Sequence, residues 1–344
     1  MPEDLRTRPR RTARLLMALA LLAGCDGPPP VISPERTLAG HTREVVALAI
    51  SPDGKTLASR SSGEIKVWDL TSRKERLTLS SDGSDFSSVA ISPDGRTLAA
   101  NRPGLGAISW DLDTGKERAF YRENSDDSAF GGNAVAYGWG LAYSPDGKTL
   151  AGGGSHSGED GFVTLWDTAT GEAHLGLKYP SPVTTVAYGP DGKILAVGSM
   201  SGMVDLIDPD AKREKIQVPA VRAYLAPVVF SPDGRSLATA SDDRRIRLWD
   251  VETGRERKVL KGQMKGIFCV AYHPGGRVLA SGDAGGSIYL WDLQTRKPIA
   301  QLEGHRGKVW TIAFSPDRKT MASGGEDREI RLWDLSKIVE DLSR

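Results

Sequence analysis

Three polar side chains near the end of the chain have the types that a nucleophilic hydrolase uses. His305, Ser323 and Asp327 stand close in sequence, and a serine activated by a histidine that an aspartate orients is the arrangement for acyl transfer. An enzyme needs such a set once, whereas this chain carries partial copies of it, which favours a structural role over catalysis. The copies are His41 with Ser59, and Thr239 with Asp243.

The remaining residues that could do metal or thiol chemistry are scattered. His156, His174 and His273 have no spacing suited to zinc, and the chain has no phosphate-binding loop or nucleophile elbow. Cys269 stands in the apolar run 267–270, which is typical of a buried small hydrophobe. The acidic residues of the third repeat lack the regular spacing of calcium ligands. We therefore expect no catalytic residue, no metal and no cofactor.

The dipeptide Trp-Asp recurs along the chain with a nearly constant period. The steps between successive copies are 42, 56, 41, 42, 42 and 42 residues when Ile207-Asp208 is counted as a degenerate copy. A period of this length is typical of a repeat architecture. The intact copies are Trp68-Asp69, Trp110-Asp111, Trp166-Asp167, Trp249-Asp250, Trp291-Asp292 and Trp333-Asp334.

A second marker, of the form Ser-Pro-Asp-Gly, runs in phase with the first and predicts a tight hairpin turn in each repeat. Short runs rich in β-branched and aliphatic residues surround each turn and predict four strands per repeat. Four-stranded sheets repeated radially form a propeller. The predicted fold is therefore all-β, a seven-bladed β-propeller of four-stranded antiparallel blades. In the first repeat the predicted strands are residues 45–50, 56–59, 65–70 and 76–79.

On these residues the chain resembles the WD40-repeat family over about residues 36–344, with Gly40-His41 and Gly304-His305 opening two repeats. The resemblance implies that an N-terminal strand near residues 35–39 completes the last blade and closes the ring. It also implies a buried network of His, Ser or Thr, Asp and Trp within a blade. The matching residues are His305, Ser323, Asp327 and Trp333 in the last blade, and His41, Ser59 and Trp68 in the first, which lacks the Asp.

Residues 1–24 have the pattern of a secretory signal peptide that is removed, with five arginines before the apolar run 15–22. The run is shorter than the roughly 20 apolar residues of a membrane span. Leu22-Ala23-Gly24-Cys25 resembles the lipobox of bacterial lipoproteins, in which the cysteine receives a diacylglycerol. We expect a lipidated tether at residues 25–34 and the propeller at residues 35–344, anchored on the periplasmic side of a bacterial membrane. The alternative is an ordinary signal peptide that yields a secreted or periplasmic soluble protein.

Two insertions enlarge the third blade. Trp110 and Pro145 are 35 positions apart against 24 or 25 elsewhere, and Pro145 and Trp166 are 21 apart against 16 or 17. The loops concerned emerge on one face of a propeller, which WD40 proteins often use for binding. Their acidic residues belong either to a contact surface or to ordinary solvated loops. These are Asp126, Asp127, Glu159 and Asp160.

In the family, the residues three and five places after the Gly-His histidine commonly line the same face. The corresponding residues here include several aromatic side chains, and exposed aromatic clusters mark interaction sites. The alternative is that some of them, Phe268 above all, point into the core between blades. The predicted contact residues are Glu44, Tyr137, Trp139, Tyr224, Lys308 and Trp310.

The formal net charge is +1 for the chain and −2 without residues 1–24, which gives no electrostatic case for nucleic-acid binding. We expect a monomeric propeller that is a non-catalytic platform for a protein or peptide partner. One alternative is a propeller enzyme, a hydrolase or a quinoprotein-like protein, with its site at the central channel. No ring of carboxylates or histidines at equivalent positions supports it. The other alternative is a structural subunit of an envelope complex.

Overall fold

The computed structural model describes residues 28–80, 86–102, 106–122, 136–156, 160–211, 213–219 and 228–342. Within them the chain forms seven β-sheets and one short helix. The first strand of each sheet contacts the first strand of the next, and the seventh contacts the first in the same way. The sheets are therefore the blades of a closed ring, and the predicted seven-bladed propeller is confirmed.

Two strands precede the blades, β1 (Val31–Ile32) and β2 (Arg36–Leu38). Blade 1 contains β3 (Ala47–Ile50), β4 (Thr56–Ser61), β5 (Glu64–Asp69) and β6 (Lys74–Ser80). Blade 2 contains β7 (Val89–Ile91), β8 (Thr97–Arg102), β9 (Gly106–Asp111) and β10 (Glu117–Tyr121). Blade 3 contains β11 (Ala136–Tyr143), β12 (Thr149–His156), β13 (Asp160–Asp167) and β14 (Ala173–Tyr179).

Blade 4 contains β15 (Val183–Tyr188), β16 (Leu195–Ser199), β17 (Met203–Asp208) and β18 (Arg213–Pro219). Blade 5 contains β19 (Val229–Phe230), β20 (Ser236–Ala240), β21 (Arg245–Asp250) and β22 (Glu256–Lys261). Blade 6 contains β23 (Ile267–Tyr272), β24 (Val278–Asp283), β25 (Ser287–Asp292) and β26 (Lys297–Glu303). Blade 7 contains β27 (Val309–Phe314), β28 (Thr320–Gly325) and β29 (Ile330–Asp334), and the helix α1 (Ser336–Leu342) follows it.

The tetrapeptide turns join the first two strands of each blade. In blade 1 the Ser51 hydroxyl donates to the Asp53 carboxylate at 2.5 Å, and the same carboxylate accepts from the Lys55 N–H at 3.0 Å. The bond from Ser51 is the main reason that the pKa of Asp53 lies below its ordinary value. Gly54 takes a left-handed backbone with φ of 72°, which a residue with a Cβ adopts only at a cost. The sequence therefore fixes the hairpin through its own side chains.

These turns lie side by side around one face of the ring, here called the lower face. A Cβ added to Gly95 would lie 3.5 Å from Pro52 in the turn of the preceding blade. A Cβ added to Gly54 would lie 2.9 Å from the Ser315 hydroxyl of blade 7. The turns of blades 7 and 1 are thus neighbours, like those of blades 1 and 2. The innermost strand of each blade begins on the opposite face, here called the upper face.

The ring closes with a strand from the N-terminal end of the chain. β2 pairs antiparallel with β29, with Leu38 opposite Ile330, and supplies the fourth strand of blade 7. Leu38 is only 4% exposed and belongs to an apolar cluster that includes Leu57 of blade 1 and Ile330 of blade 7. The strand predicted near residues 35–39 is therefore present, and it helps to seal the junction between the last blade and the first.

β1 is a strand that the sequence did not predict. It pairs in parallel with β26, with Val31 opposite Gln301, and gives blade 6 a fifth strand. The Pro30 carbonyl accepts a hydrogen bond from the Gln301 N–H at 2.9 Å, and Ile32 packs against the cluster between blades 6 and 7. Two residues are too few to show strand alternation. The ordered propeller therefore begins earlier than residue 35.

The core is divided into apolar clusters between adjacent blades, rather than concentrated in one centre. The tryptophans of the Trp-Asp dipeptides are among its largest side chains, and Trp166, Trp291 and Trp333 are at most 1% exposed. Each blade thus buries its faces against its two neighbours. Among the described residues, no helix has the length and apolar character that crossing a bilayer requires.

Removing the closing strand should destabilise the whole ring. We expect deletion of residues 34–40 to lower the melting temperature by about 10 °C or more, because it exposes the edge of β29 and uncovers the cluster around Leu38. The point variant Leu38→Ala should lower the free energy of unfolding by about 2–5 kcal/mol. Circular dichroism melts measure both effects.

Val31→Ala is the matched control for this prediction. Val31 is 60% exposed, so its truncation should change the free energy of unfolding by less than about 0.5 kcal/mol. A deletion variant that melts at the wild-type temperature would show that the ring does not need β2.

Candidate functional site

The four polar residues predicted in blade 7 form one hydrogen-bond chain. The indole N–H of Trp333 donates to Ser323 Oγ at 2.9 Å, and Ser323 Oγ lies 2.7 Å from His305 Nε2. The other ring nitrogen, His305 Nδ1, lies 2.9 Å from the Asp327 carboxylate. Arg331 donates to the same carboxylate at 2.9 Å. The chain connects β28 and β29 to the loop that enters blade 7.

The charge of Asp327 is stabilised by its hydrogen bonds. Burial by itself raises the pKa of this carboxyl, but the hydrogen bonds from His305 and Arg331 outweigh burial, and the pKa ends well below its ordinary value. Because the folded pKa is lower than the unfolded one, the ionised carboxylate stabilises the fold at neutral pH. That contribution is lost as the pH falls below the ordinary range of an aspartate.

Blade 1 builds the same network with a glutamate in place of the missing aspartate. His41 Nδ1 lies 2.7 Å from Glu64 Oε1, His41 Nε2 lies 2.6 Å from Ser59 Oγ, and Trp68 donates to Ser59 at 2.8 Å. Burial holds the pKa of His41 below its usual value despite the Glu64 carboxylate beside it. Glu64 is the first residue of β5, and its longer side chain reaches the histidine.

Blades 5 and 6 keep shorter versions of the network. In blade 6 Gln263 takes the place of the histidine, since Ser281 donates to its side-chain oxygen at 2.7 Å while Trp291 donates to Ser281 at 2.8 Å. In blade 5 Trp249 donates to Thr239 at 2.9 Å. In blades 1, 5, 6 and 7 the shared element is a buried hydroxyl that accepts from the tryptophan N–H, whereas in blade 3 the Trp166 N–H donates to the Arg122 carbonyl at 2.9 Å.

The burial of the blade 7 network argues against catalysis, although its connectivity is that of a Ser-His-Asp triad. The side chain of His305 is 0% exposed, and Ser323 is likewise 0% exposed, so a substrate carbonyl has no path to the hydroxyl. Ser323 is also held by the Trp333 N–H. The arrangement therefore satisfies buried polar groups, which is a stabilising role.

A different group of side chains meets at the upper face, where blades 6, 7 and 1 adjoin. The Trp310 indole N–H donates to Glu44 Oε2 at 2.9 Å, and its ring lies edge-on to Phe268 with centroids 5.1 Å apart. The Lys308 ammonium lies 5.0 Å from the Trp310 ring and 5.4 Å from the Phe268 ring. These four half-buried residues, Glu44, Phe268, Lys308 and Trp310, are called the aromatic cluster below.

Phe268 is therefore a surface residue rather than a core residue. It is half-buried, and its ring makes an edge-on contact with Trp310 at the start of the innermost strands. Trp310, Lys308 and Glu44 were expected on this face, and two orientations of Phe268 were compatible with the sequence. Nothing in the sequence predicts this orientation, because residues 267–270 are all apolar, and it is the structure that separates the half-buried Phe268 from the buried Ile267 and Cys269.

A polar cleft of about 790 Å³ lies next to the aromatic cluster, between blades 7 and 1. Glu44 belongs to both the cluster and the wall of the cleft, so the two form one continuous surface. The charged residues of its wall are Arg43, Glu44, Arg60, Glu326 and Arg328.

The rest of the predicted contact surface is only partly placed. Tyr137 and Trp139 lie on β11, the innermost strand of blade 3, next to an irregularity in its pairing with β12. Asp160 is exposed at the start of β13. None of these three backbone positions belongs to the junction of blades 6, 7 and 1. The other predicted residues fall outside the described ranges, namely Tyr224, Asp126, Asp127 and Glu159, together with the lipidation site Cys25.

Cys269 lies in the core between blades 6 and 7. Its thiol is buried and donates weakly to the Val309 carbonyl at 3.4 Å, and burial raises its pKa well above the usual value. Such a thiol is unreactive at neutral pH. Among the described residues, no group of three His, Cys, Asp or Glu side chains is placed to hold a metal ion.

Breaking the network of blade 7 should cost stability. We expect His305→Ala to lower the free energy of unfolding by about 1–3 kcal/mol, because Ser323 and Asp327 each lose one of their buried hydrogen-bond partners. Chemical denaturation measures the effect. His174→Ala, on the exposed side of β14, is the control and should change little. An unchanged midpoint for His305→Ala would contradict the structural role.

The comparisons with known proteins agree with this architecture. A sequence profile of the WD domain, G-beta repeat family matches residues 32–69, 131–167, 170–208, 225–250, 254–292 and 296–334. The profile does not match the interval that contains blade 2. The four strands of this blade bring the number of blades in the structure to seven.

Two curated relatives share parts of the chain. A stretch of 89 residues is 35% identical to WD repeat-containing protein VIP3 of Arabidopsis thaliana, covering 22% of this chain and 27% of that protein. A stretch of 51 residues is 45% identical to Periodic tryptophan protein 2 homolog of Dictyostelium discoideum, covering 14% of this chain and 5% of that protein. The chain thus spans about a quarter of the first relative and a twentieth of the second. With its family profile matched over more than half its length, the chain belongs to the WD40 family of WD domain, G-beta repeat proteins.

Proposed function

We propose that this protein is a non-catalytic platform that binds a protein or peptide partner through the aromatic cluster of its upper face. WD40 propellers generally bind protein partners. The observation that carries the proposal is the edge-on pair of Phe268 and Trp310 beneath Lys308, on the face at which the innermost strands begin. Trp, Tyr and Arg dominate the contacts that matter most in protein interfaces, and Phe is also enriched there.

The cluster is held in place before any partner arrives. The bond from Trp310 to Glu44 fixes the indole across the junction of blades 7 and 1, and the two rings fix the position of Lys308. A side chain that is already ordered loses less rotamer entropy on binding. The adjoining polar cleft carries three arginines and two glutamates, which supply the polar rim that such interfaces have.

In this proposal the platform is displayed on the periplasmic side of a bacterial membrane through a lipid on Cys25. The support is the lipobox-like Leu22-Ala23-Gly24-Cys25 after an apolar run. The course of β1 is compatible with it, because Val31 and Ile32 lie along the outer edge of blade 6. A tether that leaves the propeller at the outer edge of blade 6 does not cover the upper face. Two acyl chains give the stable anchoring that one chain does not.

The first test compares partner capture by two aromatic variants. We expect Trp310→Ala to weaken partner binding by about 30-fold, as truncation of a central aromatic anchor does. Tyr289→Ala, which removes a half-buried aromatic ring from β25, should bind like the wild type. The measurement is capture from detergent-solubilised membranes of the source cell, followed by determination of Kd with the captured protein.

Equal melting temperatures of the two variants are required for this comparison. Lys308→Glu is a second variant that leaves the rings in place and should also lose binding, because it reverses the charge above them. Capture of the same partner at equal strength by all variants would place the contact surface elsewhere. A partner held in fixed stoichiometry through every purification step would favour the structural subunit.

The second test concerns the anchor. We expect Cys25→Ser to abolish incorporation of an alkynyl fatty acid and to release the protein from the membrane fraction. Cys269→Ala is the matched control, because it removes the other cysteine, which is buried, and should leave labelling intact. A wild-type protein that takes up no label would contradict the lipid anchor and favour an ordinary signal peptide.

A further inference from the structure

On the lower side of the propeller, the groove between blades 5 and 6 is equivalent to the groove between blades 6 and 7, but one is open and the other is covered by a helix. Between blades 6 and 7 the groove is covered by α1, whose Ile338 is 2% exposed. Ile338 and Leu342 belong to the same apolar cluster as the walls of that groove, and the Arg277 guanidinium donates to the Leu342 carbonyl at 2.5 Å. The chain therefore fills this groove with a helix that carries apolar side chains four positions apart.

Between blades 5 and 6 the corresponding groove is open and measures about 370 Å³. Because successive repeats are offset by 42 residues here, the walls of the two grooves can be compared position by position. The open groove is lined by two turns, which contain Asp233 and Pro274, and by six strand and loop residues, namely Ser236, Leu248, Arg257, Lys258, Tyr272 and Leu293. The equivalent wall under α1 is Val278, Leu290, Ile299, Ala300, Phe314 and Leu335.

The two grooves have similar apolar floors and differ in the residues at their rims. Leu248 and Leu293 match Leu290 and Leu335. Leu335 is 1% exposed under the helix, whereas Leu293 is half-buried. The floor of the open groove therefore resembles the floor that α1 covers between blades 6 and 7.

The rim of the open groove is basic where the other rim is apolar. Arg257 and Lys258 replace Ile299 and Ala300. The position of Lys258 pairs with the residue before the Trp-Asp. It is apolar in five of the other six blades, whereas blade 7 has Arg36 there, opposite Leu332. The apolar residues at this position are Leu77, Ala119, Leu175, Ile216 and Ala300.

The cation of Lys258 has no carboxylate partner among the described contacts. Its ammonium donates to the Leu293 carbonyl at 2.8 Å across the junction of blades 5 and 6. Two other charged residues line the groove. Arg257 bonds to Asp250, and the Asp233 carboxylate accepts from the Ser231 hydroxyl at 2.5 Å. The ammonium of Lys258 therefore stands at the edge of an apolar floor, held by a carbonyl rather than by a carboxylate.

One polar group in the wall is also left without a partner. The Tyr272 hydroxyl is buried and makes no hydrogen bond within the described residues. Its equivalent in the covered groove is Phe314, which has no hydroxyl to satisfy. A buried hydroxyl with no bond costs stability, so this groove has a donor for the backbone or side chain of an occupant.

We propose that the groove between blades 5 and 6 is a second docking surface, which takes a short acidic amphipathic helix of a partner protein. Two apolar side chains four positions apart lie on the Leu248 and Leu293 floor, as Ile338 and Leu342 do in the covered groove. A carboxylate on the helix pairs with Lys258, and the helix supplies an acceptor for Tyr272. The surface is independent of the aromatic cluster, which lies on the opposite face.

The probe for this proposal is a synthetic peptide with the sequence of residues 335–344, labelled with a fluorophore at its N-terminus. This sequence combines Ile338 and Leu342 with the acidic Glu340 and Asp341. We expect saturable binding to the full chain in fluorescence anisotropy. A peptide carrying Glu340→Gln and Asp341→Asn should bind about tenfold more weakly or worse, because it has lost the charge that Lys258 recognises.

Two variants of the protein provide the matched comparison. Lys258→Ala gives blade 5 the residue that blade 6 has at Ala300, so the fold should tolerate it, and the Kd for the peptide should rise about tenfold. Lys261→Ala removes the same charge from the exposed upper end of the same strand and should leave the Kd unchanged. Equal Kd values for the two variants, or no binding below about 1 mM peptide, would overturn the proposal.

A photo-crosslinker in place of Ile338 in the peptide locates the binding position. Crosslinks to Tyr272, Leu293 or their neighbours in the open groove are expected. Crosslinks confined to Phe314 and the groove of blades 6 and 7 would mean that the peptide had only displaced α1, and this would overturn the proposal. A variant that no longer binds the peptide should still capture the partner of the upper face. The two proposals can therefore be refuted independently.

Discussion

A four-stranded blade has two apolar faces and no partner of its own, so it is stable only between two other blades. The apolar clusters of this protein lie at the junctions, and residues from both blades contribute to each, as Ile65 of blade 1 and Leu98 of blade 2 do. The requirement can be met for all seven blades only if the ring closes. Closure brings β2 beside β29 and buries Leu38 at the last junction. The stability of every blade therefore depends on a strand from the other end of the chain.

The polar networks show which part of a buried site is fixed by physics and which is free to vary. A tryptophan N–H inside a blade needs an acceptor, and Ser59, Ser281 and Ser323 each supply one. The hydroxyl in turn needs a partner, but either a histidine or Gln263 can provide it. The acidic residue that bonds to the histidine can also vary, because Glu64 is hydrogen-bonded to His41 as Asp327 is to His305. The tryptophan N–H and the hydroxyl are thus satisfied in each of these blades, although the residue that bonds to the hydroxyl varies.

The sequence predicted the architecture because local signals repeat, and it missed what depends on closure. Trp-Asp and Ser-Pro-Asp-Gly mark each blade, and the strand of residues 36–38 was found from its likeness to residues 300–302, which precede the other Gly-His pair. Trp310 and Glu44 were both assigned to one face, but their hydrogen bond joins residues 266 positions apart. Only the closed ring makes them neighbours. β1 escaped detection because two residues carry no periodicity and its pairing with β26 is long-range.

In a repeat protein the common residues build the frame, and the departures from the repeat distinguish one surface from another. Ile299 stands where blades 1 to 5 carry an arginine, lysine or histidine, and it lies in the cluster that α1 covers. Lys258 is the opposite departure, a cation at a position that is apolar in five of the other six blades and is Arg36 in blade 7, and its groove is open. The aromatic cluster is a third departure, on the upper face. Because the rigid ring separates the two surfaces, partners at the upper and lower faces would bind without competing, and the blades would fix their relative orientation.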